Sequence, residues 1–295
     1  MASMRDIKRR RGSIQSTQQI TKAMKLVSTV KLQKAKLHAE NAKPYFQHMY
    51  QTVFSMLRRS GNIHHPYLQP GKSEKKAVIV ITSNRGLAGG YNSNVVKLLL
   101  NNPEFKKEDV VLYTLGRKGR DSLAKKGYEV KADYSDIVEA LEYDRASDIC
   151  KRLLEDFANG EIGEIYIAYT VFKNTVTQIP TLTKLLPIEM EDKDGDAEES
   201  AAEEEAEGKV APMNYEPEEE DALDIIIPKY VTSIIYGAVT EAIASENGAR
   251  MQAMDSATSN AEEMIESLSL QYNRARQSSI TQELTEIIAG ADAIS

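Results

Sequence analysis

From about Glu220 to Ser295 the chain carries a single proline, Pro228, close to the start of the stretch. Beyond it, small and apolar residues recur at steps of three and four: Met254, Ala257, Ala261, Met264, Leu268, Tyr272 and Ala275. A repeat near 3.5 residues is the contact line of a helix that coils about another helix. About seventy helical residues at about 1.5 Å each make a rod of roughly 110 Å. A compact domain cannot cover such a rod. Its seam needs a second long helix in this chain, or another protein.

Residues 3–43 supply a candidate. They contain no proline, and Ile7, Ile14, Ile20, Met24, Val27 and Val30 fall roughly on one helical face. Thr17, Thr21 and Ser28 interrupt that face with small polar groups. Pro44 removes an interior hydrogen bond, so a kink or break is expected there. The apolar pattern resumes through Tyr45, Met49, Val53, Met56 and Leu57, and Gly61 with the NIHHP run ends it. Two long helices that leave one body from the two ends of the chain must run antiparallel. The terminal helix is the longer by roughly 20 Å. Its tip, with Leu284, Ile287, Ile288 and Ile294, has no mate in the chain, and an uncovered apolar tip implies a socket in another protein.

The middle alternates strand and helix. KKAVIVITS (75–83) and DVVLYTLG (109–116) read as buried strands, and YEVKADYSD as a shorter one. Residues 161–172 and 175–188 are β-branched strands. Helices are expected over NVVKLLLNN, capped by Asn92 or Ser93, over RKGRDSLAKK, and over 144–160 with Gly160 beyond its end. This order predicts an α/β fold with a mostly parallel sheet and an antiparallel edge.

Charge divides the chain. The net charge is −7, yet residues 189–224 alone hold 17 Asp and Glu against two Lys, so the remainder is basic. Residues 1–40 carry ten Lys and Arg against Asp6 and Glu40. The acidic stretch is too polar to bury a core and is expected to be disordered. One cysteine, Cys150, excludes an internal disulfide. The basic N-terminus has no apolar segment behind it and does not read as a secretory signal. No run approaches the roughly 20 apolar residues of a membrane span, so membrane contact is expected only through partners.

Chemistry-bearing motifs are few. SNRGLAGGYN (83–92) sits where backbone N–H groups can cradle a phosphate. It lacks the phosphate-binding lysine and the dinucleotide glycine pattern, and the competing reading is a tight turn that needs small residues. His38, His48, His64 and His65 have no metal spacing, and no serine, cysteine or carboxylate pair is framed as a nucleophile. No cofactor or metal is expected. The basic helix has three readings: a solvated face, an RNA-holding arm, or attraction to an acidic protein. Its lack of interleaved aromatics counts against single-stranded nucleic acid. Gly248 inside the long helix costs about 1 kcal/mol relative to Ala, which is tolerated or marks a close approach of the partner helix.

Two long segments carry a family resemblance. STQQITKAMKLVSTVKLQKA (16–35) and ARMQAMDSATSNAEEMIESLSLQYNRARQSSITQELTEIIAGA (249–291), with TSNRGLAGGYNSN and NYEPEEEDAL between them, resemble the gamma subunit of F-type ATP synthases. The resemblance covers the chain except the acidic segment near 190–212. It departs from the family at Asn84 and Ala88, where Asp and Cys are usual, and at Gly248, where Ala is usual.

The resemblance implies an antiparallel coil of the two terminal helices on a Rossmann-like α/β base. The parts are then 1–60 as the N-terminal coil helix, 61–189 as the base, 190–214 as an acidic insert and 215–295 as the C-terminal coil helix. It implies a rotor that couples proton flow (sodium in some members) through a ring of c subunits to ATP synthesis or hydrolysis in a head of alpha and beta subunits, with epsilon beside it. No active site is implied in the chain itself, and the location is the cytoplasmic face of a bacterial membrane. Met24 and Lys25 match positions that approach an acidic loop of beta. Arg250, Gln277 and Thr281 match positions that couple rotation to catalysis. Tyr215 and Glu216 match the foot near epsilon and the c ring. Near the acidic segment, chloroplast members carry a two-cysteine redox insert, which one cysteine cannot reproduce.

Overall fold

The computed structural model describes residues 4–59, 65–138, 142–188 and 219–292. In order these form α1 (Met4–Arg59), β1 (Lys76–Ile81), α2 (Tyr91–Leu100), β2 (Val110–Leu115), α3 (Arg117–Ala124), β3 (Glu129–Asp133), α4 (Tyr143–Ala158), β4 (Glu164–Phe172), β5 (Gln178–Leu186) and α5 (Glu219–Asp292). The chain divides into two compact units, one of Lys31–Ala249 and one of Met1–Val30 with Arg250–Ser295. The acidic segment, Tyr215, Glu216 and Ile294 lie outside the described residues.

In the unit of Lys31–Ala249 the five strands order as β3-β2-β1-β4-β5. The first four are parallel, and β5 returns antiparallel along β4. β1 reads KAVIVI because it is central and both its faces are covered, which removes any need for polar alternation. Ala77, Ile79 and Ile81 face a core built with Ile149, Leu153 and Phe157 of α4, Val53 and Met56 of α1, and Leu223, Ile227, Val231 and Ile235 of α5. Val78 and Val80 face the other way, into Val95, Val96 and Leu99 of α2 with Phe105 and Leu123. Pro180 sits in β5, the edge strand, where a missing N–H interrupts no inner ladder. Gly116 joins β2 to α3 at φ 122°, and a Cβ there would meet the Thr82 carbonyl oxygen at 2.0 Å, so only glycine fits.

Within this unit α1 and α5 run antiparallel beside each other. Phe46 lies 6.2 Å from Tyr236, while Tyr50 and Phe54 each lie 6.4 Å from Tyr230. Gly237 leaves room for the Phe46 ring, which an added Cβ would meet at 3.3 Å. Several expectations are corrected here. Pro44 lies inside α1 and does not break it, because it is exposed and a single lost bond is outweighed by the turns on either side. α2 begins three residues earlier than expected, with Gly90 at its N-cap. Asn92 does not cap it; its amide reaches back to Ser83 at the end of β1. Gly248 admits not α1 but the β4–β5 hairpin: a Cβ there would meet Phe172 at 3.4 Å and Gln178 at 3.5 Å. By length and composition alone, α5 does contain a stretch apolar enough to cross a membrane. Leu223, Ile227, Val231, Ile235, Val239 and Ala242, on its N-terminal part, are buried on the sheet side.

The unit of Met1–Val30 and Arg250–Ser295 is an antiparallel helix pair. Going down α1 and up α5, Lys25 meets Asp255 at 2.5 Å, Thr21 meets Thr258 at 2.8 Å, and the Arg11 guanidinium lies 5.5 Å from the Tyr272 ring centre. Inward positions on α5 are Met254, Thr258, Ala261, Ile265, Leu268, Tyr272 and Ala275, and on α1 Ile7, Arg11, Ile14, Gln18, Thr21, Lys25 and Ser28. Both sets step strictly by fours and threes, the repeat of a left-handed coil. The expected seam therefore shifts at two places. Thr258 stands closer to the partner than Ala257 was expected to, and Ile265 replaces Met264, which is 44% exposed.

Candidate functional site

The two-helix unit reverses the usual sidedness of a coil. Between residues 18 and 28 the inward positions of α1 are Gln18, Thr21, Lys25 and Ser28. Thr21 is 8% exposed and Ser28 only 2%. On the same stretch Ile20, Leu26, Val27 and Val30 are 58–65% exposed. The sequence expectation had placed Ile20, Val27 and Val30 on the inner face. The reason for the reversal lies in the partner helix: small hydroxyl-bearing side chains let α1 and α5 approach, and Thr21 and Thr258 satisfy each other there. Thr21 Oγ1 also bonds the Gln18 carbonyl at 3.0 Å, and Thr258 Oγ1 bonds the Met254 carbonyl at 2.7 Å. The Thr21 and Thr258 hydroxyls are thus supplied within the pair. The apolar outer stripe is not.

The residues singled out in the sequence take these places. Met24 is half-buried beside the seam. Lys25 donates to Asp255, a pair whose side chains are 40% and 57% exposed, so solvent screens it and it contributes little to stability. Arg250 is half-buried at the start of this unit's α5 portion. Gln277 and Thr281 are exposed one turn apart, and the Thr281 hydroxyl donates to the Gln277 carbonyl at 2.9 Å. Beyond them Ile280, Leu284, Ile287 and Ile288 are 48–68% exposed. Met24, Lys25, Arg250, Gln277 and Thr281 therefore share one unit. Thr258, Asp255 and the outer stripe escaped the sequence reading. Counting fours and threes strictly from Ile7 would have found the stripe, because that count puts Thr21 inside and Ile20 outside, and the same count from Met254 puts Thr258 inside.

The Gly-rich turn is braced by its own hydrogen bonds: Asn92 Oδ1 accepts the Ser83 N–H at 2.9 Å, and the Ala88 carbonyl accepts the Tyr91 N–H at 3.2 Å. In an open α/β sheet, ligands bind beyond the carboxyl ends of the strands where the strand order reverses, here between β1 and β4. Tyr91 fills that side and its hydroxyl donates to the Ala242 carbonyl of α5 at 3.1 Å. Ser245 of α5 donates to the Thr170 carbonyl of β4 at 2.9 Å. The N–H groups at the start of α3 are used internally: Gly119 donates to Thr82 Oγ1, Arg117 to Asn84 Oδ1 and Lys118 to the Ser83 carbonyl. Asn84 also donates to the Ser135 carbonyl at 2.7 Å. The amide at this position thus supplies both a donor and an acceptor, which an ionised Asp cannot.

The charged groups of the base stabilise the fold. Lys131 joins Asp156 and Glu161, and Asp156 accepts from the Tyr113 hydroxyl. Burial pushes the Cys150 thiol up to about 11, and it donates to the Pro228 carbonyl at 3.4 Å. Among the described residues no group of His, Cys, Asp and Glu is arranged to hold a metal ion.

Comparison with known proteins identifies the architecture. A family model described as ATP synthase matches residues 3–294. The ATP synthase gamma chain of Lachnoclostridium phytofermentans is 66% identical over 294 residues, covering all of both chains. The sodium ion specific ATP synthase gamma chain of Acetobacterium woodii is 43% identical, covering 99% of each. A chain in the OSCP/F1/c-ring structure of the Euglena gracilis mitochondrial ATP synthase shares the fold with a TM-score of 0.67 at 19% identity, over 99% of this chain and 94% of that one. The chain belongs to the ATP synthase gamma family.

Proposed function

We propose that the chain is the central-stalk rotor subunit of an F-type ATP synthase, coupling ion flow through the c ring to ATP synthesis or hydrolysis in the alpha/beta head. The observation that carries this reading is the reversed helix. A shaft that acts on three equivalent partners must be covered by them and yet turn. An outer apolar stripe on α1 with an apolar α5 tip supplies surface for a surrounding sleeve. The inner hydroxyls hold the helices together with no help from that sleeve. Rotation then offers different faces to each catalytic subunit, and each face stabilises a different discrete state.

In this reading the chain performs no chemistry, and ATP is handled by its partners. Residues 1–60 and 215–295 make the shaft, 61–189 the base, and 190–214 an acidic insert. Met24 and Lys25 meet the moving acidic loop of beta. Arg250, Gln277 and Thr281 couple rotation to catalysis. Tyr215 and Glu216 stand at the foot beside epsilon and the c ring. The complex sits on the cytoplasmic face of the cell membrane, which this chain touches only through partners. The RNA-arm reading finds no support in the comparisons.

The test is affinity purification of the tagged chain from solubilised membranes, with mass spectrometry of what comes with it. Alpha, beta, epsilon and c subunits are expected. Recovery of RNA, or of the chain without alpha and beta, would overturn the reading. For the residue roles, Gln277→Leu and Thr281→Val are expected to assemble normally and to pump fewer ions per ATP hydrolysed in membrane vesicles. Unchanged pumping would remove both residues from the coupling path.

A further inference from the structure

The turn that follows α1 ties three parts of the base together. His65 is 3% exposed. Its Nδ1 accepts the Tyr67 N–H at 3.3 Å, capping the short helical turn Pro66–Leu68. Its Nε2 lies 3.0 Å from Asp224 Oδ1, in the second turn of α5. The Tyr67 carbonyl accepts the Ile188 N–H at 3.2 Å, just beyond β5. The Tyr67 ring packs 5.2 Å from His65 and 6.1 Å from Phe157 of α4. This short turn thus touches α4, the exit from β5 and the beginning of α5.

The hydrogen bonds fix the state of the ring. An Nδ1 that accepts a backbone N–H carries no proton. The proton is then on Nε2, which donates to the Asp224 carboxylate, and the neutral ring serves as acceptor on one side and donor on the other. Around this bond, Leu223 and Ile227 of α5 are fully buried. Apolar burial is non-directional: it resists separation of α5 from the base but sets no axial or rotational register. Further along α5 the Cys150, Tyr91 and Ser245 hydrogen bonds to or from its backbone and side chains add directional ties; the His65–Asp224 bond is the one nearest its start.

We propose that His65 is a positioning residue for coupling: through Asp224 it fixes the start of α5 on the base, so that turning of the base is passed to the shaft without slip. The inference rests on the rotor reading. Two variants separate its two bonds. In His65→Asn the shorter amide keeps the cap on Tyr67 N–H and loses Asp224. Asp224→Ala loses the same bond from the other side, while Asp224→Asn keeps an acceptor for it.

The experiment uses the assembled complex in vesicles. His65→Asn and Asp224→Ala are expected to lower ion pumping per ATP hydrolysed and to leave ATP hydrolysis by the detached head unchanged. Asp224→Asn is expected to restore pumping. Amide exchange in 221–230 is expected to quicken about fivefold in the first two variants, the equivalent of one lost hydrogen bond. Nitrogen-15 spectra of the imidazole are expected to show the Nε2–H form in the wild type. The proposal is overturned if pumping is unchanged in His65→Asn and Asp224→Ala, if Asp224→Asn fails to restore it, if head hydrolysis falls in parallel, or if the proton resides on Nδ1. Failure of the rotor reading would look different, since the wild-type chain would then not assemble with alpha and beta at all.

Discussion

The register of the two-helix unit can be tested at one pair of hydroxyls. Thr21 Oγ1 and Thr258 Oγ1 lie 2.8 Å apart, and each also lies within reach of a carbonyl of its own helix, at 3.0 and 2.7 Å. Two hydroxyl protons therefore serve three contacts. Removing one hydroxyl by Thr21→Val or Thr258→Val deletes the cross-helix bond and lets the survivor donate to its own carbonyl. No group is stranded, so each single change should cost only about 1 kcal/mol. The double variant replaces both polar groups by methyls of similar shape and should cost less than the sum, leaving a coupling of about 1 kcal/mol. Global unfolding is a poor reporter, because the chain has two units and need not unfold in one step. Native-state amide exchange over 14–28 and 251–265 reads the local opening free energy directly. Each single variant should speed exchange about fivefold, and the double variant by well under the product of the two. Additivity to within about 0.3 kcal/mol would mean that Thr21 and Thr258 do not face each other, and the register deduced from them would fall.

Three further outcomes follow from the base. Gly248→Ala is expected to slow native-state amide exchange over 240–249 by up to about fivefold, the equivalent of about 1 kcal/mol, because an added Cβ meets only ordinary contacts and gains helix propensity; faster exchange would contradict the packing described for the hairpin. Burial alone would raise the Glu164 carboxyl, but hydrogen bonds from Lys184 and Tyr166 and the charge of Lys76 outweigh it and hold the group below its usual range. Its contribution is therefore present above about pH 4.3 and lost as pH falls through the lower folded value, so Glu164→Gln should flatten the acid limb of the urea midpoint against pH; an unchanged limb would show that Glu164 does not drive it. With its thiol pushed up to about 11, Cys150 should react with iodoacetamide at pH 7 about a hundredfold or more slower than a free cysteine, and at the ordinary rate once the chain is unfolded.

Much of this was legible in the sequence because the periods were strong. KAVIVI declared a central strand by its lack of polar alternation, and the long proline-poor ends declared two helices that needed each other. The errors arose where a local rule met a tertiary one. Pro44 was read by what a proline removes, and the helix ran on through it. Ile20, Val27 and Val30 were placed inside because apolar residues usually face a partner helix in the same chain. Here nothing among the described residues covers them, so hydrophobicity pointed outward and only the strict count of fours and threes pointed in. Asn92 and Gly248 were invisible for another reason: their roles are set by Ser83 and by the β4–β5 hairpin, which are distant in sequence or known only once folded. Gln277 and Thr281 have no internal signature beyond family likeness, since an exposed amide and hydroxyl on a helix look the same whether or not another molecule touches them.

The greasy flank of α1 also bears on how the cell must make this subunit. A copy released without its neighbours presents Ile20, Leu26, Val27 and Val30 to water side by side. Such a surface invites clumping or capture by chaperones. In the rotor reading, output of this chain then has to be matched to that of the proteins that sheathe it.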